Sequence, residues 1–184
     1  MSVQTRTQLQ TSAATITTET AAGANTASRV GGLFDDLADT ATLDRERGFA
    51  NLYLDTDTAF TPTQGQRVKL TSAMKSGVLS TYNFSRTTTS LTYTGTTSAT
   101  LRIAASMVFA QGNNNQVKVY IAKNGTPIDQ SMTDITTSHT DGHGIYTEAY
   151  VTGAVNDEFT IYIYAVSSSA SITISALSFT AHTL

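Results

Sequence analysis

Cysteine is absent from the 184 residues, so no disulfide framework holds the fold together, and folding in a reducing compartment is expected. Charge is scarce too. Charged residues make up 14% of the chain, against about a quarter in ordinary domains, so uncharged polar groups must cover the surface. The net charge is −3 and no run of lysine and arginine occurs, which excludes the electrostatic footprint of a nucleic-acid-binding protein. Proline appears only twice while glycine appears twelve times, a balance that suits a β protein with many turns. No apolar run follows Met1-Ser2-Val3-Gln4-Thr5-Arg6, so neither a signal peptide nor insertion into a membrane is expected.

Threonine fills much of the space that charge leaves. It makes up about one residue in five, a β-favouring bias. The excess acid is concentrated before residue 60, in Glu19, Asp35, Asp36, Asp39, Asp44, Glu46, Asp55 and Asp57. Residues 3–24 carry few apolar side chains (Val3, Leu9, Ile16) and cannot bury a core of their own. They read as a tail, or as an arm that orders only against a partner. Residues 25–43 follow a helical period: Asn25 or Thr26 can cap, and Val30, Leu33, Phe34, Leu37 and Ala41 form one stripe. A helix of about 16 residues spans about 24 Å and is marginal alone, more so with Gly31-Gly32 inside it. Its stripe can pack on the chain's own β domain or on two further copies of itself.

Near Gly48 the period changes from helical to two. Residues 1–48 therefore form an N-terminal arm and helix, and residues 49–184 a C-terminal knob. Ala99, Leu101, Ile103, Ala105, Met107 and Phe109 alternate with polar or small residues, a half-buried strand. Val117, Val119 and Ile121 repeat the pattern and end at Asn124-Gly125, a hairpin signal. Further strands are expected at 49–54, 68–70, 78–84, 90–94 and 145–151. The last strand changes parity near Ser175-Ala176, which predicts a bulge. Residues 129–144 read as loop. The expected fold is mainly β: an antiparallel jelly-roll β-sandwich of about 8–10 strands, preceded by an extended arm and one short α-helix.

One strand has no polar face. Phe159, Ile161 and Ile163 point one way, Tyr162 and Tyr164 the other. In a lone sandwich the second face meets water, so Tyr162 and Tyr164 are expected at a subunit contact or beneath a loop. With Val30, Leu33, Phe34 and Leu37 they are the candidate homotrimer contacts.

Two segments resemble phage structural proteins. Residues 16–40, ending Leu33-Phe-Asp-Asp-Leu-Ala-Asp-Thr40, resemble a short helical module near the N-termini of tail, baseplate and head-appendage proteins, with Thr40 where serine is commoner. Leu91-Thr-Tyr-Thr-Gly-Thr-Thr97, the alternating strand after it and Val119-Tyr-Ile-Ala-Lys-Asn-Gly-Thr126 are similar to trimeric phage knobs with a tumour-necrosis-factor-like jelly roll. The resemblance implies a homotrimeric virion protein, assembled in the host cytoplasm and not an enzyme. Residues 1–45 would attach it to capsid or tail proteins. A capsid decoration or head-fibre role is expected, the receptor-binding tip of a tail fibre or baseplate being the alternative.

Catalytic signatures are missing. There is no Gly-x-Ser-x-Gly elbow, P-loop, dinucleotide fingerprint or HExxH, and no cofactor is expected. His139 and His143 flank Asp141 on a glycine-bearing loop, where solvated histidines are expected and no metal site is assigned. Asn113, Asn114, Asn115, His139, Asp141 and His143 lie on loops whose polar side chains suit hydrogen bonding to a host surface glycan.

Overall fold

The computed structural model describes residues 48–79, 83–111, 115–137 and 142–184. The expected arm and helix, with Val30, Leu33, Phe34 and Leu37, lie outside the described residues, as do Asn113, Asn114, His139 and Asp141.

Alternation becomes two facing antiparallel sheets. Sheet I has β11 (His143–Gly153), β7 (Ala99–Gln111), β13 (Ile172–Thr183), β1 (Phe49–Leu54) and β4 (Lys75–Leu79) in that order, and β2 (Thr58–Phe60) also pairs with β13. Sheet II has β10 (Thr133–Thr136), β8 (Gln116–Lys123), β12 (Glu158–Ala165), β6 (Leu91–Tyr93) and β5 (Phe84–Arg86); β3 (Arg67–Lys69) pairs with β12 and β9 (Thr126–Pro127) with β8. The jelly-roll sandwich expected from the period of two is what forms. The inward residues of both sheets make one core: Leu52, Leu101, Ile103, Met107, Phe109, Val119, Ile121, Phe159, Ile161 and Phe179 are buried in it.

Local chemistry sets the turns. Asn124 and Gly125 both have positive φ, 51° and 78°, and join Lys123 to its partner Thr126, the geometry a tight two-residue hairpin requires. In Leu91-Thr-Tyr-Thr-Gly95, the buried Tyr93 donates its hydroxyl to the Thr97 carbonyl at 2.8 Å. A Cβ at Gly95 would overlap that phenol, so glycine is required there for close packing. The bulge expected near Ser175 is present between Ile174 and Ala176.

The strands differ from expectation in two places. Residues 78–84 are not one strand: β4 pairs with β1 in sheet I and β5 with β6 in sheet II, so the chain changes sheet between them. Residues 129–144 are not all loop: they contain a 3₁₀ turn, Asp129–Ser131, and β10. Only Ile135 is large and apolar in β10, too little for a period to show.

The strand ends define two poles. At one pole Thr183 N–H donates to Gly48 O at 3.0 Å, Leu184 N–H to Thr100 O at 3.0 Å, and Lys123 Nζ to Thr152 O at 2.8 Å. The chain enters the knob there. The opposite pole carries Asn115, Thr137 and residues 166–169.

Candidate functional site: the two outer faces of the sandwich

Each sheet has an outer face, and the registers fix what stands on it. On sheet I three cross-strand rows run from β11 through β7 and β13 to β1. The first is Tyr150–Arg102–His182–Phe49, the second Glu148–Ala104–Thr180–Asn51, the third Tyr146–Ser106–Ser178–Tyr53. The aromatic residues all stand in the two outer rows; the central row has none. Tyr146 is 48% exposed and Tyr150 60% exposed, whereas Ala104 between them is 5% exposed. Phe49 stacks at a tilt on His182, centroids 4.6 Å apart.

The charges on this face close on themselves. Arg102 Nε donates to Glu148 Oε2 at 3.0 Å, Arg102 Nη2 to the Tyr146 hydroxyl at 2.6 Å, and that hydroxyl to Glu148 Oε2 at 2.8 Å. The Tyr146 and Arg102 bonds hold the Glu148 carboxyl below the ordinary carboxylate range. Desolvation, then the nearby Arg102 charge, pushes His182 down. The triangle leaves no net charge to desolvate, and its tyrosine hydroxyl is already bonded. Such a face can be covered at lower cost than one bearing unpaired charge.

On sheet II the rows are Asp134–Lys118–Tyr164–Arg67 and Tyr120–Tyr162–Lys69. Here a cationic side chain lies over one of the rings. The Arg67 guanidinium lies 4.6 Å from the Tyr120 ring centroid and donates to Asp129 Oδ1 at 2.6 Å. It reaches across two strand spacings, about 10 Å, and Tyr120 beneath it is 5% exposed. Lys69 donates to Glu158 Oε1 at 3.2 Å. Tyr162 and Tyr164 are half-buried. Cover from within the chain falls on Tyr120, under the Arg67 guanidinium.

The remaining candidates separate. Asn115 is buried, and its side chain binds loops: Nδ2 donates to Ser168 O at 2.8 Å, while Oδ1 accepts from Ser167 Oγ at 3.0 Å and Ser168 N–H at 3.2 Å. With the Thr137 N–H bond to its own carbonyl at 2.9 Å, Asn115 ties Thr137 to Ser167 and Ser168 at this end. His143 opens β11, half-buried, opposite Phe109. Among the described residues no three His, Cys, Asp or Glu side chains group as a metal site. No helix among them is long and apolar enough to cross a membrane.

Sequence reasoning missed Tyr146, Tyr150 and Arg102. The signal existed: Tyr146 and Tyr150 have the opposite parity to Ile145, Ala149 and Val151, the same violation that singled out Tyr162 and Tyr164.

No protein-family model and no curated protein matches the chain. Solved structures do. Murine APRIL in its crystal structure at pH 5.0 is similar, with a TM-score of 0.54 and 6% identity over 76% of this chain and 100% of that one. The pH 8.0 structure of murine APRIL gives 0.51 and 7% over 74% and 99%. What is shared is the jelly-roll sandwich. PRD1 vertex protein P5 has the same likeness at a TM-score of 0.50 and 10% identity, over 74% of this chain and 96% of that one. At these identities the likeness is one of fold alone.

Proposed function

We propose that the chain is a homotrimeric phage virion protein, a capsid decoration or head-fibre protein attached through residues 1–45 with the knob of residues 49–184 projecting. The observation that carries the trimer is the outer face of sheet I. Two exposed tyrosines, a stacked Phe49–His182 pair and a closed Arg102–Tyr146–Glu148 triangle share one surface. Closed cyclic symmetry would bury it. The similarity to PRD1 vertex protein P5 supports the virion reading. The pole opposite Gly48 then becomes the tip, tied together by Asn115. The Val30–Leu37 stripe remains a second contact in this proposal, whereas the Tyr162/Tyr164 face, the subunit contact expected from the sequence, lies outside the interface it assigns.

The alternative role is the receptor-binding tip of a tail fibre or baseplate, contacting host glycan or protein. The stapled polar tip favours it, because binding groups commonly sit on loops held by a rigid scaffold.

Sedimentation equilibrium of the full chain at micromolar concentration tests the assembly: a trimer is expected, and a stable monomer overturns it. A chain starting at Phe49 should fold yet fail to join particles. Normal occupancy of that truncated chain on virions would place the anchor elsewhere.

A further inference from the structure

Beside the tyrosines of sheet II the β8–β9 hairpin and the 3₁₀ turn enclose an open groove of about 510 Å³, within the range of small-ligand sites, about 300–1,000 Å³. Asn124, Thr126, Pro127, Ile128, Asp129 and Gln130 line it. The Tyr162 hydroxyl reaches the hairpin, 3.8 Å from where a Cβ on Gly125 would stand. The Arg67–Asp129 pair joins the groove to the Tyr120 ring.

We propose that this groove binds a neutral oligosaccharide. The first argument is charge. Lys123, at the groove's edge, pairs with Asp157 at 2.7 Å, and Asp129 with Arg67 at 2.6 Å. Each charge is already compensated within the chain, so the groove offers an anionic or cationic ligand no unpaired counter-charge. The second is hydrogen-bonding capacity. The Thr126 hydroxyl, the Gln130 amide and the second oxygen of Asp129 are exposed donors and acceptors, whereas Asn124 is committed to Asp157 Oδ1 at 2.7 Å and Glu158 N–H at 2.8 Å. A carboxylate oxygen with an amide and a hydroxyl matches the alternating donors and acceptors of adjacent sugar hydroxyls. The third is the apolar wall. Pro127 and Ile128 are half-buried and can take the C–H face of a pyranose ring. The hairpin is tight, with Asn124 and Gly125 both at positive φ, as a type I′ two-residue turn requires. The inference rests on the sheet I face, not this one, being the subunit contact.

The test is titration calorimetry and saturation-transfer NMR of the full chain with chitobiose, maltotriose and galactobiose. The acidic trisaccharide of galacturonate serves as comparison. Roughly millimolar binding of at least one neutral sugar is expected, as for a small open site. Asp129→Ala and Gln130→Ala should each weaken it at least tenfold, and Asp134→Ala, outside the groove on the same sheet, should leave it unchanged. The proposal is overturned if no neutral sugar binds, if Asp129→Ala and Gln130→Ala bind like the unaltered chain, or if the acidic trisaccharide binds more tightly. Sedimentation of the same variants separates this from the assembly: a monomeric unaltered chain that still binds sugar would overturn the trimer alone. Loss of the trimer in Gln130→Ala would make the groove a subunit contact and overturn the glycan site.

Discussion

The outer faces of the two sheets have similar inventories and opposite consequences. Both carry tyrosines two or four residues apart on one strand, and both carry arginine paired to a carboxylate. On sheet I the arginine is spent beside its own ring neighbours, in the Arg102–Tyr146–Glu148 triangle, and Tyr146 and Tyr150 stay open. On sheet II Arg67 crosses the strands to reach Asp129 and covers Tyr120 on the way. A tyrosine's availability is thus set by its cross-strand neighbours, which only the register reveals. The same residue types leave two tyrosines exposed on one side and hold Tyr120 covered on the other.

The largest expected effect tests whether the two faces depend on one core. Phe179 is fully buried on β13 between Leu52 and Ala105 in register. Phe179→Ala should cost about 3–5 kcal/mol, read as a drop in the urea midpoint with an unchanged slope. Sugar binding and trimer should be lost together on unfolding; loss of one well before the other would show the sheets to be separate cooperative units.

Next is the direct contest between the faces. Tyr146→Asp with Tyr150→Asp should weaken the trimer by about 2 kcal/mol or more, the scale of a central aromatic contact. Tyr164→Asp, among half-exposed cationic neighbours, should leave sedimentation unchanged. The reverse result would move the subunit contact to sheet II and reject the assignment made here.

A smaller effect sharpens what the hairpin does. Gly125 has a φ of 78°, where a β-branched side chain is strained by about 1–2 kcal/mol. Gly125→Val should lower the thermal midpoint and weaken sugar binding while leaving the trimer intact. An unchanged affinity would mean that the hairpin does not shape the groove.

Much of this architecture was legible in the residues. The period of two in β7, β8 and β12, the Asn124-Gly125 turn and the parity change at Ser175 each follow from local chemistry, so each could be read. The β4–β5 crossing could not: residues 78–84 have strand composition throughout, and only pairing partners show that the chain changes sheets. The outer faces were half legible. Parity marks Tyr146, Tyr150, Tyr162 and Tyr164 as outward-facing residues that need explaining, yet gives no means of ranking them. That ranking depends on Arg67 lying over Tyr120 and Arg102 lying beside Tyr146, contacts between residues 53 and 44 positions apart. Asn115 shows the opposite failure. Its loop composition suggests a ligand contact, but its side chain is buried among Ser167 and Ser168.

The smallest effect is a pH dependence that belongs to sheet I. His182 stands between Phe49 and Arg102 on the outer face, and desolvation with the Arg102 charge lowers its folded pKa below the ordinary 6.5. Folding therefore favours the neutral imidazole. Its stabilising share is full above the unfolded pKa, near 6.5, and is lost as pH falls from there toward the folded value. Glu148, lowered by its bonds to Tyr146 and Arg102, acts later: its share is present above about pH 4.5 and lost as pH falls through its depressed folded pKa. Asp157 joins it in that window. Burial opposes its ionisation, but bonds from Lys123, the Ala154 N–H and Asn124 outweigh burial and hold its carboxyl below 3.8. Stability measured by urea denaturation should thus decline in two stages on acidification, one beginning near neutrality and one in strong acid. Burial of the face in a trimer would deepen the first stage, because a protonated His182 facing Arg102 would lose the water that screens the pair. His182→Gln removes the titrating group and should flatten the first stage while leaving the second. A first stage that survives His182→Gln would assign it to a group off this face, and a first stage of equal depth in the Tyr146→Asp/Tyr150→Asp monomer would show that assembly does not cover His182.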